Sequence, residues 1–354
     1  MVATLLAVVL LAAGCGGGGG VATSSASAEK SGEVVLMTHD SFALPDTVMA
    51  AFRQETGLEL RVLKSGDAGS MLNQAILTKD NPMADVIFGV DNTFLSRALD
   101  EDIFSVYVSG SLADVPDEFE LDPEHRVTPV DYGDVCLNYD KEVIGTVDLP
   151  LPATLADLTR PEYKGLLVVQ NPATSSPGLA FLLATIAEFG ESGDYPWQQF
   201  WRDLMANDVL VVSGWEEAYY SEFSGGAGEG DRPLVVSYAS SPPAEAIFAE
   251  TPLTEASTGV VPAGAFRHIE FAAILKGARN PSGAEKLIDF MLSISFQEAI
   301  PESMFVFPVN QNAELPDTFT RFTTIPDNPV KMDYESIGHN RERWIREWTE
   351  IAIG

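Results

Sequence analysis

Apolar and polar positions fall into two alternating periods along the chain. Residues 33–38, EVVLMT, are an apolar, partly β-branched run that reads as a buried strand. It stops at His39, Asp40, Ser41 and Phe42, and Pro45 opens a helix, DTVMAAFRQETG, with Gly57 as its C-cap. Residues 58–63 form a second strand. A turn at 65–69, SGDAG, leads to Ser70, which is placed to cap the helix MLNQAILT. Residues 84–90, ADVIFGV, form a third strand, followed by the helix TFLSRALDE. Strand–helix alternation of this kind predicts a mostly parallel sheet.

Residues 127–139 read as a strand pair with a turn at 131–133, and Pro150, Pro152 and Pro161 punctuate the connection that follows. Residues 166–169 are a strand that runs into NPATSSPG and the helix LAFLLATIAEFG. A helix at 196–205 places Trp197 and Trp201 on one face, which suits a core. Residues 260–275 start with a turn and return to strand character. Helices at 281–291 and from SFQEAIP follow, then a short extended segment at 307–310 and a closing amphipathic helix at 341–353.

Two stretches, VVSGWEEAYY at 211–220 and PLVVSYASSP at 233–242, share a pattern. Each is an apolar run ending in a small residue and an aromatic, Trp215 in the first and Tyr238 in the second. Ligands of open α/β sheets sit outside the carboxyl ends of strands. These aromatics are therefore either a ligand platform or ordinary core residues. The connections fit two α/β lobes around a cleft, one from 33–130 plus 262–310 and the other from 131–261, with a C-terminal segment at 311–354.

The chain has 354 residues, 45% of them apolar, which suffices for about two domains. Its 52 acids against 21 bases give a net charge of −31. That balance argues against nucleic acid and anionic membrane surfaces and weakly favours a cationic ligand. A salty habitat accounts for it equally well. The apolar run at 4–13, closed by LLAAGC, is too short to span a membrane. It is similar to a secretory signal ending in a lipobox, with Cys15 as the lipid-bearing residue of a bacterial lipoprotein. Residues 16–30 then read as a flexible tether, so that 1–32 lie outside the fold. The other cysteine, Cys136, is expected to be a buried free thiol.

No H-E-x-x-H, C-x-x-C, G-x-S-x-G or phosphate-binding glycine loop occurs. An enzyme therefore has no positive support, and neither a cofactor nor a metal is expected. Thr174, Ser175, Ser176 and Pro177 open an apolar helix and are either a simple cap or an anion site. Tyr219 and Tyr220 are either a phenolate pair for ferric iron or helix residues with one ring buried and one exposed.

Together the stretches THDSF (38–42), ADVIFGVDN (84–92), PVDYG (129–133), NPATSSPGL (171–179), SGWEEAY (213–219), VVSYASSP (235–242) and FQEAIP (296–301) resemble the thiamine-binding lipoproteins of bacterial ABC transporters. The resemblance implies the type II periplasmic-binding-protein fold. It also implies capture of thiamine or its phosphates, delivery to an ABC permease, and a monomer anchored to the outer face of the cell membrane or free in the periplasm. It carries ligand contacts onto Asp67, Ala68, Ser175, Ser176, Trp215, Tyr238, Ala239, Ser240 and Ser241. Departures from the family pattern put His39 where a tyrosine stands, Phe305 for a tryptophan, Ala173 for an arginine and Ala244 for an aromatic. They bear on affinity, above all for phosphorylated thiamine. On this resemblance Trp215 and Tyr238 hold the thiazolium on their faces, Asp67 accepts from the aminopyrimidine, and Ser175 and Ser176 meet the hydroxyethyl arm or its phosphate. A ferric-iron or polyamine binder of the same fold class is the alternative.

Overall fold

The computed structural model describes residues 32–146, 149–248, 253–326 and 328–354, all within one unit, Ser31–Gly354. Residues 1–31, with the expected signal, Cys15 and the tether, lie outside the described residues. The chain alternates as its sequence pattern suggests. It starts with β1 (Glu33–Thr38), α1 (Asp46–Thr56), β2 (Glu59–Lys64), α2 (Ala68–Leu77), β3 (Val86–Asp91), α3 (Leu95–Asp100) and β4 (Phe104–Ser105). It continues with β5 (Thr128–Asp140), α4 (Lys141–Thr146), β6 (Leu167–Gln170), α5 (Ser176–Phe189), α6 (Trp197–Ala206), β7 (Leu210–Val212) and β8 (Leu234–Tyr238). Then come α7 (Ser241–Phe248), β9 (Thr258–Leu275), α8 (Pro281–Met291), β10 (Phe307–Pro308) and a closing helix, Tyr334–Ala352.

The strands form one sheet in the order β2-β1-β3-β9-β5-β8-β6-β7, with β4 beside β9 and β10 beside β5. The sheet is mixed rather than mostly parallel. β1 is parallel to β2 and β3, and β6 to β7 and β8. At the centre β9 runs antiparallel to β3 and β5, and β5 antiparallel to β8. These two long strands are not successive strands joined by a single crossover helix, so the strand–helix alternation that predicts parallel pairing does not apply to them.

Both expected turns in β5 and β9 are corrected by the same pairing. Asp131, Tyr132 and Gly133 lie within β5, opposite Glu270, Ile269 and His268 of β9. Ladder bonds from β9 satisfy this backbone and override the Asp-Tyr-Gly turn signal. The signal at 262–264 surfaces instead as a bulge. Val261 pairs with Leu137 and Phe266 with Val135, so that 262–265 stand opposite Cys136 alone, with Gly264 at φ +68°. The lobe boundaries expected at 130/131 and 261/262 therefore fall inside these two strands.

Two helix starts also differ. α2 begins at Ala68, because the Asp67 carboxylate accepts the Ala68 N–H at 2.7 Å and takes the capping role expected of Ser70. The closing helix starts at Tyr334, capped by Asp333, which accepts from Ser336 N–H at 2.8 Å. Gly338 within it is no breaker. A side chain there would collide with Ser96, so the glycine allows the helix to lie close on α3.

Apolar side chains fill both faces of the sheet. Trp201 packs edge-on against Phe181 at 5.8 Å and Trp348 at 5.5 Å, confirming the tryptophans of α6 as core. Cys136 is a buried free thiol. Among the described residues no helix is long and apolar enough to cross a membrane.

Candidate ligand-binding site

The two parallel sets run in opposite directions, their carboxyl ends meet near the middle of the long strands β5 and β9, and the residues just beyond them converge there. β1 delivers His39 and Ser41, β2 delivers Asp67 and Ala68, β6 delivers Ser176, β7 delivers Trp215, and β8 ends in Tyr238. All of them line a single cavity, together with Ser241, Glu270 and Phe305. The platform expected at the strand ends is therefore a cavity wall rather than core.

Trp215 is fixed from three directions. Its backbone N–H donates to Asp67 Oδ2 at 3.0 Å, its indole Nε1 donates to Ser237 Oγ at 2.8 Å, and Tyr219 stacks on it at 5.0 Å and 20°. Tyr220 meets it edge-on at 5.5 Å. Tyr219 and Tyr220 sit in a π-helical turn, Glu217–Glu222, of the kind often found at binding sites. Tyr219 is buried and Tyr220 exposed. Burial pushes both phenols up, which opposes the phenolates a ferric ion requires.

Asp67 joins the two sides of the cavity. One oxygen caps α2 and the other accepts the Trp215 N–H. Burial raises its pKa above the ordinary value, while these donors and Ser175 hold it down. Nearby, Gly69 N–H donates to the Thr174 carbonyl at 3.1 Å, an approach at which a side chain on Gly69 would clash. Ser240 Oγ donates to the Phe305 carbonyl, and Phe305 holds a left-handed backbone at φ +57° while lining the cavity. A non-glycine residue in that region stores strain and is found most often at functional positions.

Three of the expected contacts lie behind the lining rather than in it. Ser175 is fully buried at the N-cap of α5. Ala239 packs with Cys136 and Ala265. Ser240 is spent on Phe305. Ser176 does line the cavity, but its hydroxyl donates to Asp91 Oδ2. The helix start thus faces a buried carboxylate, which leaves little for a phosphate.

In and beneath the lining lies a set of titratable groups, of which the sequence reading singles out only His39. Asp91 accepts from Thr93 N–H at 2.7 Å and Thr93 Oγ1 at 2.5 Å, and stands 3.5 Å from His268 Nε2. Burial alone favours neutral forms, but the two groups outweigh it for each other, so the aspartate is held below its ordinary pKa and the imidazole above. His39 Nε2 is 3.6 Å from Glu270 Oε1. Burial, with His268 and Lys64 nearby, lowers His39 to about 4, so this contact joins a neutral imidazole to the acid. Glu270 was legible in one respect: it is an acid inside a long apolar strand, FRHIEFAAIL.

Among the described residues, none lining this cavity is a lysine or arginine. The adjoining outer recess is lined by Asp40, Glu216 and Glu217 and likewise carries no base. Aromatic rings, carboxyls and an acidic approach suit an organic cation.

Comparison with known proteins agrees with this architecture. Residues 81–321 match the family described as bacterial extracellular solute-binding protein. The chain is 31% identical over 320 residues to the thiamine-binding periplasmic protein of Salmonella typhimurium, spanning 89% of this chain and 92% of that one. Its identity to the protein of the same name from Escherichia coli is also 31% over 320 residues, with the same coverage. A solved periplasmic thiamin binding protein superposes with a TM-score of 0.78 at 28% identity, covering 91% of this chain and 96% of the other. The ferric binding protein from Campylobacter jejuni shares the fold, with a TM-score of 0.69 at 18% identity over 90% of this chain and 99% of that one. The fold is the type II periplasmic-binding-protein fold, and the chain belongs to the bacterial extracellular solute-binding protein family.

Proposed function

We propose that this protein is an exported, non-enzymatic binding protein that captures thiamine and delivers it to an ABC permease. The observation that carries this reading is the cavity at the strand ends. It has an aromatic wall of Trp215, Tyr219 and Tyr238, the carboxyls of Asp67 and Glu270, and no basic lining residue among those described. Thiamine carries a thiazolium that cannot lose its charge, and aromatic faces hold such cations at about 0.5–2 kcal/mol per contact. The thiamine-binding names of its relatives point the same way. The protein acts as a monomer, and two lobes close about the bulged central strands.

Free thiamine is preferred over its phosphates. The acids of the outer recess repel a phosphate tail, Ser176 is committed to Asp91, and Ala173 offers no base. Ferric iron is disfavoured by the buried Tyr219 phenol. No group of three or more His, Cys, Asp or Glu among the described residues is arranged to hold a metal.

Titration followed by indole fluorescence tests this reading. Thiamine should bind at least about tenfold more tightly than thiamine phosphate, a difference of about 1.4 kcal/mol. Dialysis against a strong chelator should leave its affinity unchanged. A coloured complex with ferric citrate, or an ester that binds more tightly than thiamine, sinks the proposal.

Anchoring through Cys15 completes the reading, since a ligand carrier tethered by residues 16–30 stays close to its permease. Cys15→Ser should move the protein from the membrane fraction to the soluble fraction. Retention of that variant in the membrane rules the anchor out.

A further inference from the structure

Glu270 and Asp131 stand directly opposite each other on β9 and β5. Directly opposed residues on antiparallel strands hold their Cβ atoms about 4.5–5.5 Å apart, and like charges so placed repel. Asp131 is completely buried, and neither of its oxygens receives a hydrogen bond from an N–H or hydroxyl donor. The group it meets is the Glu270 carboxyl. Glu270 itself is only 8% exposed and lines the cavity.

The surrounding groups supply little countercharge. His268 favours the ionised Glu270, but its charge is already matched by Asp91. His39, 3.6 Å from Glu270, is neutral. Tyr238 on β8 is a neutral phenol, and Asp67 across the cavity is another acid. The nearby bases are engaged elsewhere: Arg267 with Asp134 at 2.6 Å, and Lys64 with the Asp40 carbonyl at 2.6 Å. Two adjacent buried carboxylates without a cation are far costlier than one carboxylate and one acid.

We propose that Glu270 and Asp131 hold a shared proton while the cavity is empty and release it to solvent when a cationic ligand enters, so that Glu270 becomes the ligand's counter-charge. The exchange balances: one positive charge enters the cavity and one leaves as a proton. Burial pushes both carboxyls up, Asp131 to about 7, and the neighbouring Asp131 charge raises Glu270 further, while the Glu270 contact holds Asp131 back in part. The sign follows from linkage. The cation favours the ionised pair, so affinity rises with pH until the empty site has itself lost the proton. Below that point it falls by up to about tenfold per pH unit. The proposal rests on the thiamine reading for its ligand, but its proton is a property of the empty protein.

The test is calorimetric titration of the full protein with thiamine, in buffers matched in pH but differing in ionisation enthalpy. The parent should release up to about one proton between about pH 6 and about pH 8, with affinity rising across that range. Glu270→Gln and Asp131→Asn should each release close to none and flatten the pH profile, with melting temperature as the folding control. A neutral aminopyrimidine fragment should release none from the parent. Infrared spectroscopy of the ligand-free parent should show a protonated carboxyl band that disappears in Glu270→Gln. Thiamine binding with no proton release and a flat pH profile overturns the proposal, as does a ligand-free parent without the band. Failure of thiamine to bind the parent sinks the thiamine reading instead, and the band still decides whether the pair holds a proton.

Discussion

Trp215→Ala is expected to weaken thiamine binding about 30-fold, or about 2 kcal/mol, while the protein still folds. The indole is held by its backbone N–H on Asp67, its ring N–H on Ser237 and the Tyr219 ring on one face. That arrangement leaves the opposite face for the ligand, in an orientation set before the ligand arrives. Alanine removes the face and opens a gap beside Tyr219. Trp215→Phe keeps a weaker π face and loses the bond to Ser237, so its loss should be intermediate. Trp215→Leu keeps apolar bulk without a quadrupole and separates cation–π attraction from packing. Equal affinities of the leucine and phenylalanine variants would refute the cation–π account. Parent-like affinity in all three would place the ligand elsewhere. Fluorescence of the four remaining tryptophans cannot report the contact, so affinities of the variants should be read by calorimetry.

Asp67→Asn should cost about 1.5–3 kcal/mol of thiamine affinity, roughly 10- to 150-fold, through loss of a carboxylate facing the cation in a partly desolvated cavity. Its effect on stability should be modest: asparagine is an equally good N-cap, but its single amide oxygen can accept from Ala68 or from Trp215 and not from both. Asp67→Ala loses the cap of α2 and the acceptor for Trp215 as well, so it should lower stability by a further ~1 kcal/mol. The pair of variants separates two roles of one side chain. If asparagine binds thiamine as the parent does and only alanine fails, Asp67 acts by holding Trp215 and α2 in place, and its charge is not used. Calorimetric affinity set against melting temperature for both variants gives the answer.

Much of this site was legible because it obeys a rule of sheet geometry. Trp215 and Tyr238 close apolar runs, and the end of a parallel strand is where a chain turns away and leaves room. Asp67 and Ala68 came only from the resemblance to the thiamine-binding family, and Ser176 from that resemblance and its place at the start of an apolar helix. What escaped was long-range in origin. Ser175, Ala239 and Ser240 share their motifs with true lining residues, and only the packing of β8 and α5 turns them inward. Glu270 became part of the cavity floor because β9 passes through the middle of the sheet, a path that the local turn signals at 131–133 and 262–264 argue against. Those signals were real. The backbone of the first is paired with β9 on one side and β10 on the other, and the second became a bulge. The closing helix began earlier than its composition suggests because Gly338, a poor helix residue in isolation, is needed where Ser96 comes close.

The placement of β9 has a consequence for the order in which the molecule is made. Strand β3 and strand β5 have no ladder with each other, and each pairs with β9, which enters between them. A growing chain can assemble β1, β2 and β3 early, and later β5, β6, β7 and β8. It cannot join the two sets until the segment Thr258–Leu275 has been synthesised. Contacts so distant in sequence form slowly, because the loop between them must be ordered first. Until then β3 and β5 are open edges, each a template for pairing with another chain. A polypeptide bound for export has to stay unfolded until it has crossed a membrane, and a sheet that waits for its central strand delays its own closure. The same delay makes the interval before β9 arrives the time at which this chain is most exposed to aggregation and most in need of a chaperone.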